Sequence, residues 1–535
     1  MGRDRIMWIV LALGLPMMLI TLFAVVLAEQ SGALEWIQLG LGLPLTVLLI
    51  VVPLREARSP LLSPWPLPVV ACLACCGMAL WALLRPDDPR LSLGGPYMIF
   101  VALSALIWAA GRNLARKALG EVDAASPPGP DRLTRFSLPL LLLATLLAAG
   151  IWAVLDNAGT AASSAGLAML AVLAVGPPVT LSFGLSALLL VAAARGGEFS
   201  IRPCTWRTLR LPGKIDRALF VDSGLLVSSS PSIVDLGLAP GVNNDELVDL
   251  LKRLDSMPAE RLEQLPGLGY RTTVDDLEAL VGRPELLESR GIDVAGFAEH
   301  TARCEQSGAK PTLVALGGRC LGFLALASTL RMEAGLVVEA LKAGGCTATL
   351  AQPREVAGRI ALERLPALEA VEPGPEGLAG LIRQWRAAGE CVALVSGPLL
   401  DPELAREVDL AVVLGAPAGA VPPGADVIVE SPDLDGVINA VGLAASISRR
   451  ASRVRLASAL PHAVALVLAV GLLHGTVGLG TSPLLGCAAL ASGCALIMLQ
   501  ALPISSWEPD SKISRTLEHA VQALSQAVDG NAEKH

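Results

Sequence analysis

Eight apolar runs along the chain are long enough, or nearly so, for a hydrocarbon core that takes ~20 residues of helix. They are Met7–Ala28, Leu34–Leu54, Leu67–Leu84, Pro96–Ala110, Ser137–Leu155, Ala165–Ala194, Leu456–Leu473 and Pro483–Leu502. This pattern predicts an α-helical multispan membrane protein of about eight helices, whose fourth span is the shortest. Pro177-Pro178 lies inside the sixth run, where two missing N–H donors predict a break or kink in mid-membrane. The first run follows Met-Gly-Arg-Asp-Arg and has no small-residue cleavage site, so it reads as a retained helix and not a signal peptide.

Between the sixth and seventh runs lies one polar insertion, about 196–455. Leu313–Leu316, Cys391–Val395, Ala411–Leu414 and Val427–Val429 read as short buried strands, and Glu333–Ala343 and Glu376–Ala388 as helices. Strands alternating with helices predict a doubly wound α/β domain. The stretch Gly111–Phe136 contains Ser126-Pro-Pro-Gly-Pro130 and reads as a linker. In the tail, Ile513, Leu517, Val521, Leu524 and Val528 fall near one helical face, which predicts an amphipathic helix packed on the protein's own cytoplasmic domain.

Composition supports the membrane assignment: 53% hydrophobic residues against 17% charged and a mean hydropathy of +0.59 are too apolar for a soluble chain of this length. A net charge of -8 supplies no basic field for nucleic acid, which is set aside as a partner. The ten cysteines have no paired spacing and are expected to be reduced. Arg3, Arg5, Arg55, Arg58, Arg112, Arg116, Lys117, Arg132 and Arg135 fall on one side of the predicted spans. They predict a multi-pass protein of the cytoplasmic membrane with both termini in the cytoplasm. Arg85 and Arg90 fall on the other side, with Asp87 and Asp88 between them.

Several blocks in fixed order carry a resemblance. Ala218-Leu-Phe-Val-Asp-Ser-Gly-Leu-Leu-Val-Ser-Ser-Ser-Pro231 resembles the Asp-Lys-Thr-Gly-Thr-Leu-Thr region of the P-type ATPases. Pro266-Gly-Leu-Gly-Tyr270 with Val281-Gly282 resembles the glycine motifs of their nucleotide-binding domain. Leu321-Gly-Phe-Leu-Ala-Leu-Ala-Ser-Thr-Leu-Arg-Met-Glu-Ala334, Val392-Ala-Leu-Val-Ser-Gly-Pro-Leu-Leu-Asp401, Asp409 with Gly415, and Gly424-Ala-Asp-Val-Ile-Val-Glu-Ser-Pro-Asp-Leu434 match later blocks. From the third run to the eighth, the chain resembles the heavy-metal-transporting branch of that family. The resemblance implies helices one to four over 1–110, helices five and six over 137–195, and helices seven and eight over 456–503. It further implies a haloacid-dehalogenase-like phosphorylation domain over 196–236 and 321–455. A reduced nucleotide-binding-like insertion falls over 237–320, the short linker 111–136 replaces the actuator domain, and a tail helix occupies 504–535.

The departures from the family pattern decide the functional expectation. Phosphoryl transfer of this kind needs a carboxylate nucleophile, carboxylates for Mg²⁺ and a cation on the transferred group. With Gly224, Leu226 and Pro231 in register, the nucleophile position is Val221, and Asp222 reaches it only by a one-residue slip that turns every side chain of the strand over. The Thr-Gly-Asp block reads Leu350-Ala351-Gln352, the lysine aligns with Leu378, and the Mg²⁺ block has Gly397 and Leu400, leaving Asp401. No Ser-Glu-His-Pro motif falls between Asn243 and Leu265, although Gly267, Gly269 and Gly282 would permit close approach of an adenine. ATP and Mg²⁺ are thus implied by the resemblance alone.

Gly176-Pro177-Pro178 stands where the family has Cys-Pro-Cys. Soft ligands occur elsewhere: Cys72, Cys75 and Cys76 share a face of the third helix, and Cys487, Cys494 and Met498 form a stripe on the eighth. Both are also ordinary packing residues. His462 is an ionisable group close to the membrane. The expectation is a pseudo-ATPase acting through the bilayer and a partner, such as an intact P-type ATPase. The alternatives are a divergent copper- or zinc-class pump and a passive metal-binding or channel-like helix bundle.

Overall fold

A computed structural model describes the chain outside residues 1–3, 28–31, 57–65, 85–93, 125–131, 156–160, 176–178, 212–213, 222, 228–231, 259–262, 266–267, 307–308, 328–329, 352–360, 373–375, 418, 471–483 and 509–535. Two compact units are present, 1–217 with 382–535, and 218–381.

The first unit opens with seven helices: α1 (Asp4–Leu27), α2 (Gly32–Glu56), α3 (Pro66–Leu84), α4 (Gly94–Ala124), α5 (Arg132–Leu155), α6 (Ala161–Val175) and α7 (Val179–Gly197). The sixth apolar run holds α6 up to Val175 and α7 from Val179, and the break expected at Pro177-Pro178 lies outside the described residues. Two expectations are corrected. The fourth run is not short, because α4 continues to Ala124, with non-helical backbone only at Gly120. The linker 111–136 is also largely helical. Apart from Asn113, Arg112–Leu119 is built from Ala, Leu, Arg and Lys, good helix formers whether or not they are apolar, so hydrophobicity alone misplaced the end of the helix. A short strand, β1 (Ile201–Pro203), follows α7.

The second unit carries the β2 (Arg217–Phe220), β9 (Thr347–Ala351) and β10 (Leu368–Val371) strands in that order, with β10 parallel to β9. Inserted after β2 is a six-stranded sheet, ordered β3-β8-β7-β6-β5-β4, in which every neighbouring pair is antiparallel. Its strands are β3 (Ser232–Leu238), β4 (Glu263–Leu265), β5 (Gly269–Val274), β6 (Leu277–Gly282), β7 (Lys310–Leu316) and β8 (Arg319–Ala327). The doubly wound expectation therefore fails for this stretch, and its sheet begins and ends a few residues outside 237–320. Helix α8 (Asn244–Asp255) buries Leu247 and Leu250 with Leu321 and Leu324 of β8. Its Asp245 and Glu246 in the first turn and Lys252 and Arg253 in the last match the helix dipole. Helices α9 (Pro284–Glu288) and α10 (Ala298–Gln306) bury Leu287 and Cys304 in the cluster of Leu313 and Phe323. Each such large side chain contributes about 2 kcal/mol. Helix α11 (Ala334–Ala343) leads into β9.

Helix α12 (Gly377–Ala387) crosses the division at 381/382, and the first unit resumes with β11 (Val392–Ser396), α13 (Pro402–Glu407), β12 (Leu410–Leu414) and β13 (Val427–Val429). These strands run β1-β13-β12-β11, parallel except for β1. Nearly every residue of β11, β12 and β13 is buried, as strands covered on both faces require. Helix α14 (Asp435–Ala469) then runs unbroken past Pro461 for about 50 Å. The seventh run is therefore the end of a helix that starts twenty residues before Leu456. Helix α15 (Leu484–Ala501) ends the described apolar segments, and the tail helix expected over 510–528 lies outside the described residues.

Three stretches, Met98–Gly120, Ser164–Gly197 and Leu485–Ser506, are long and apolar enough to cross a membrane, and four shorter apolar helices accompany them. The chain is an integral membrane protein. Small residues set the packing, as membrane helices favour: a Cβ at Gly184 of α7 would stand 2.8 Å from Val454 of α14 and 2.7 Å from Ile497 of α15.

Asp426 is fully buried, accepts the Ala411 N–H at 2.9 Å and the Thr205 hydroxyl, and lies 3.3 Å from Arg207. Asp426→Ala removes the buried carboxylate opposite Arg207, itself 36% exposed, and leaves a strand N–H unmatched. A loss of about 2 kcal/mol is expected, measured as the urea midpoint of the detergent-purified chain by circular dichroism.

Candidate functional site

In open α/β sheets, ligands collect at the carboxyl ends of strands, and there the family-matched positions fall. Val221 directly follows β2 and is half-buried, and Gly224 sits exposed in the 3-10 turn Ser223–Leu225. Asp222 lies outside the described residues. On the neighbouring strand β9, Leu350 and Ala351 are buried at the carboxyl end, while Gln352 lies outside the described residues. Leu378 is a half-buried residue in the first turn of α12. These hydrocarbon side chains of the second unit offer no nucleophile, no metal ligand and no charge.

In the first unit, β11 ends at buried Ser396, followed by Gly397, by Leu399 at 96% exposure and by buried Leu400. Nothing lies within 4 Å of where a Cβ on Gly397 would stand, so crowding does not dictate a glycine there. Asp401 is exposed and already committed as the N-cap of α13, its Oδ1 accepting the Glu403 N–H at 2.9 Å with Pro402 in the first turn. Mg²⁺ asks for hard oxygen ligands in octahedral array. Among the described residues these positions supply one capping carboxylate, so they do not fit the ion.

Three further carboxylates stand at the amino ends of the strands. Asp216, before β2, accepts the Cys391 N–H at 3.0 Å; Asp409, before β12, accepts the Val392 N–H at 3.0 Å; Asp426, before β13, accepts from Ala411. Burial, and then the nearby Asp409 and Asp216 carboxylates, push the Cys391 thiol up to about 12. A cleft of about 500 Å³ opens at this end, lined by Arg383, Arg386, Glu390, Cys391 and Asp409. Asp409 there is shared between Val392 and Arg386, 3.0 Å away. The cleft thus belongs to strand anchoring, at the end of the sheet opposite the family-matched positions.

The nucleotide glycines have a structural explanation. Gly269 has φ +146°, and a Cβ on it would stand 2.2 Å from the Val281 carbonyl, while one on Gly282 would stand 2.2 Å from the Leu268 carbonyl. The close approach is between β5 and β6 themselves, which pair Gly269 with Gly282. Gly267 lies outside the described residues.

Cys72, Cys75 and Cys76 on α3 are buried in the core that α1–α4 share, with Cys487 and Cys494 of α15 packed against it. Cys76 Sγ lies 3.4 Å from the Thr46 hydroxyl. Met498 is half-buried on α15. Among the described residues no group of three or more His, Cys, Asp or Glu side chains converges as a metal site.

His462 makes a network that the sequence reading did not anticipate. Its Nδ1 lies 2.5 Å from the carbonyl of Val175, which ends α6, and its Nε2 lies 3.1 Å from the hydroxyl of Thr180 at the start of α7. That hydroxyl also lies 2.8 Å from Ser458 Oγ. A carbonyl only accepts, so the ring proton sits on Nδ1 and Nε2 accepts from Thr180. The readable signal was Ser458 and His462 at i, i+4 on one helix face, with Thr180 just after Pro177-Pro178.

These helices and strands define a class: an integral membrane protein with the fold of a P-type ATPase. A zinc-transporting PIB-type ATPase in its E2.Pi state aligns over 93% of this chain and 99% of its own, with a TM-score of 0.65 at 14% identity. By sequence the chain is similar to "Copper-transporting ATPase 2" of Rhizobium meliloti, 26% identical over 404 residues, covering 71% of this chain and 48% of that protein. It is also similar to the "Copper-exporting P-type ATPase" of Mycobacterium tuberculosis, 25% identical over 373 residues, covering 65% and 48%. The chain spans about half the length of the curated relatives it matches. No model of a protein family matches it. The resemblance to heavy-metal-transporting P-type ATPases is thereby shown in both sequence and fold.

Two substitutions test the structural roles assigned here. Asp401→Asn keeps the cap and the stability, whereas Asp401→Ala loses about 1 kcal/mol; if the residue served Mg²⁺, asparagine and alanine would be alike in abolishing metal-dependent protection from proteolysis. Gly269→Ala is expected to lower the unfolding midpoint of the 218–381 unit within the full chain, by about 2 kcal/mol for strained backbone. An adenine-clearance role would leave the midpoint unchanged.

Proposed function

We propose that the chain is a heavy-metal P-type ATPase relative that keeps the membrane architecture but does not form the phosphoenzyme, and that it acts by binding, as a regulatory pseudo-ATPase. One observation carries this reading: a valine, Val221, follows β2 where transfer from ATP requires a carboxylate. The surroundings agree with it. Leu350, Leu378 and Gly397 occupy positions at which the resemblance calls for polar or charged groups. Pre-organised charge is usually the largest single catalytic contribution, so the loss of several such groups together is not offset by one neighbouring aspartate. The haloacid-dehalogenase-like character of the strands and the nucleotide-binding-like character of the β3–β8 unit belong to this proposal. So do ATP and Mg²⁺, whose use is implied by the relatives. Only residues 125–131 separate α4 from α5, too few to bury a core in place of an actuator domain. Both termini are proposed to be cytoplasmic, and an intact P-type ATPase is the proposed partner.

A second reading, that of a divergent copper- or zinc-translocating ATPase, is favoured by the comparisons themselves, because the relatives named above are copper transporters. It requires Asp222 to serve as nucleophile.

Incubating the purified full chain with γ-labelled ATP and Mg²⁺, with and without copper or zinc, separates the two. The pseudo-ATPase yields no acid-stable labelled band. A metal-dependent band that Asp222→Ala abolishes would establish the transporter reading instead.

A further inference from the structure

Helix α14 carries Arg449-Arg-Ala-Ser-Arg-Val-Arg455 immediately before its apolar end. Among the described residues, nearby arginines have acidic partners: Arg195 with Glu198, Arg202 with Glu430, Arg207 with Asp426. Among the described residues Arg449, Arg450 and Arg453 have no acidic partner. The Arg449 guanidinium donates to the Ser446 hydroxyl at 3.2 Å and that of Arg450 to the Pro503 carbonyl at 3.2 Å, both neutral acceptors. Burial, and then the like charges of Arg453 and Arg449, hold Arg450 below its ordinary value. Three cations crowded in this way attract an anion.

The helix face identifies that anion. Arg449, Arg453, Leu456, Leu460, Val464 and Val467 follow one another at spacings of three and four and therefore share one side of α14. The four apolar members are exposed, from 68% at Leu456 to 44% at Val467, as a lipid-facing stripe must be. At 1.5 Å per residue, Arg453 lies ~4.5 Å beyond Leu456, within a headgroup layer of roughly 5–7 Å per leaflet, and Arg449 ~10 Å beyond it, at the aqueous edge of that layer. The face is thus hydrocarbon along one length and positive at the adjoining end. A soluble anion would match only the second part.

We propose that this face of α14 binds an anionic phospholipid, with the phosphate held by Arg449, Arg450 and Arg453 and an acyl chain laid along Leu456 and Leu460. A positive-inside bias alone orients helices by charge and needs neither this alignment with the apolar stripe nor retention of a particular lipid. The proposal stands whether or not the chain forms a phosphoenzyme.

Native mass spectrometry of the full chain in detergent, titrated separately with phosphatidylglycerol and phosphatidylcholine, tests it. Phosphatidylglycerol is expected to be retained at concentrations about tenfold lower than phosphatidylcholine, in line with attraction of each juxtamembrane arginine to anionic lipid. R449Q/R453Q should abolish that preference and R449K/R453K should keep most of it. Arg453→Gln alone, at an exposed side chain with no hydrogen bond to the fold, should weaken retention several-fold without moving the unfolding midpoint. Equal retention of the two lipids, or unchanged preference in R449Q/R453Q and Arg453→Gln, would overturn the proposal. Displacement of phosphatidylglycerol by millimolar inorganic phosphate would also overturn it, by assigning the arginines to a soluble anion.

Discussion

The parallel strands depend on one repeated interaction, an aspartate that receives a backbone N–H of the neighbouring strand at its amino end. Asp409 holds Val392 so that β11 and β12 start in register, and Asp426 holds Ala411 for β12 and β13. Asp216 does the same for Cys391. A carboxylate accepting a backbone N–H makes a charge-assisted bond about twice as strong as a neutral one, and leaving such a donor unmatched in a buried sheet is costly. These acids are fixed by folding and remain whether or not anything is bound. At the carboxyl ends of the strands the family-matched positions hold Val221 and Gly397, and Asp401 there serves as a helix cap.

The membrane part answers the corresponding constraint in hydrocarbon, where each backbone polar group needs a partner within the protein. Ending α6 at Val175 frees its carbonyl, and His462 of α14 donates to it. The same ring accepts from Thr180 at the start of α7, so one imidazole spans the two helix ends and the Thr180–Ser458 contact extends the network. These contacts tie the end of α6, the start of α7 and α14 together through imidazole and hydroxyl groups, and they give His462 a structural role.

Legibility in the sequence followed the physics of each element. The apolar helices were readable because hydrocarbon demands long uniform runs, and β11, β12 and β13 because strands buried on both faces are nearly all Val, Leu, Ile and Ala. The six-stranded sheet escaped because one face of it is wet: β5 reads Gly-Tyr-Arg-Thr-Thr-Val, with Tyr270 at 47% exposure, and β4 has only three residues. Its register also depends on contacts remote in sequence. Gly237 lies against the Phe323 ring so closely that a Cβ would fall 2.1 Å from it, a requirement visible only once β3 and β8 are paired. The start of α14 was missed because its first two turns are polar on one side, and a hydropathy window registers only the end that meets lipid. In the candidate site, the residues at the family-matched positions were legible from register alone. The capping duty of Asp401 and the strand-to-strand reason for Gly269 and Gly282 were not, since both are properties of backbone geometry.

Similarity to transporters does not decide whether their chemistry is present, because fold and phosphoryl transfer rest on different residues. An alignment over some four hundred positions is dominated by side chains that pack helices and strands, and those are what a fold conserves as a physical object. Phosphoryl transfer rests on a handful of groups whose effects are strongly non-additive. A carboxylate restored at position 221 alone would face the phosphates of ATP with no metal to neutralise either charge, and like charges at contact distance in a partly buried site repel by several kcal/mol. On the pseudo-ATPase reading proposed above, the first lost group of such a set removes most of the rate, after which the others carry no catalytic constraint, and Val221, Leu350 and Leu378 fit that order of events.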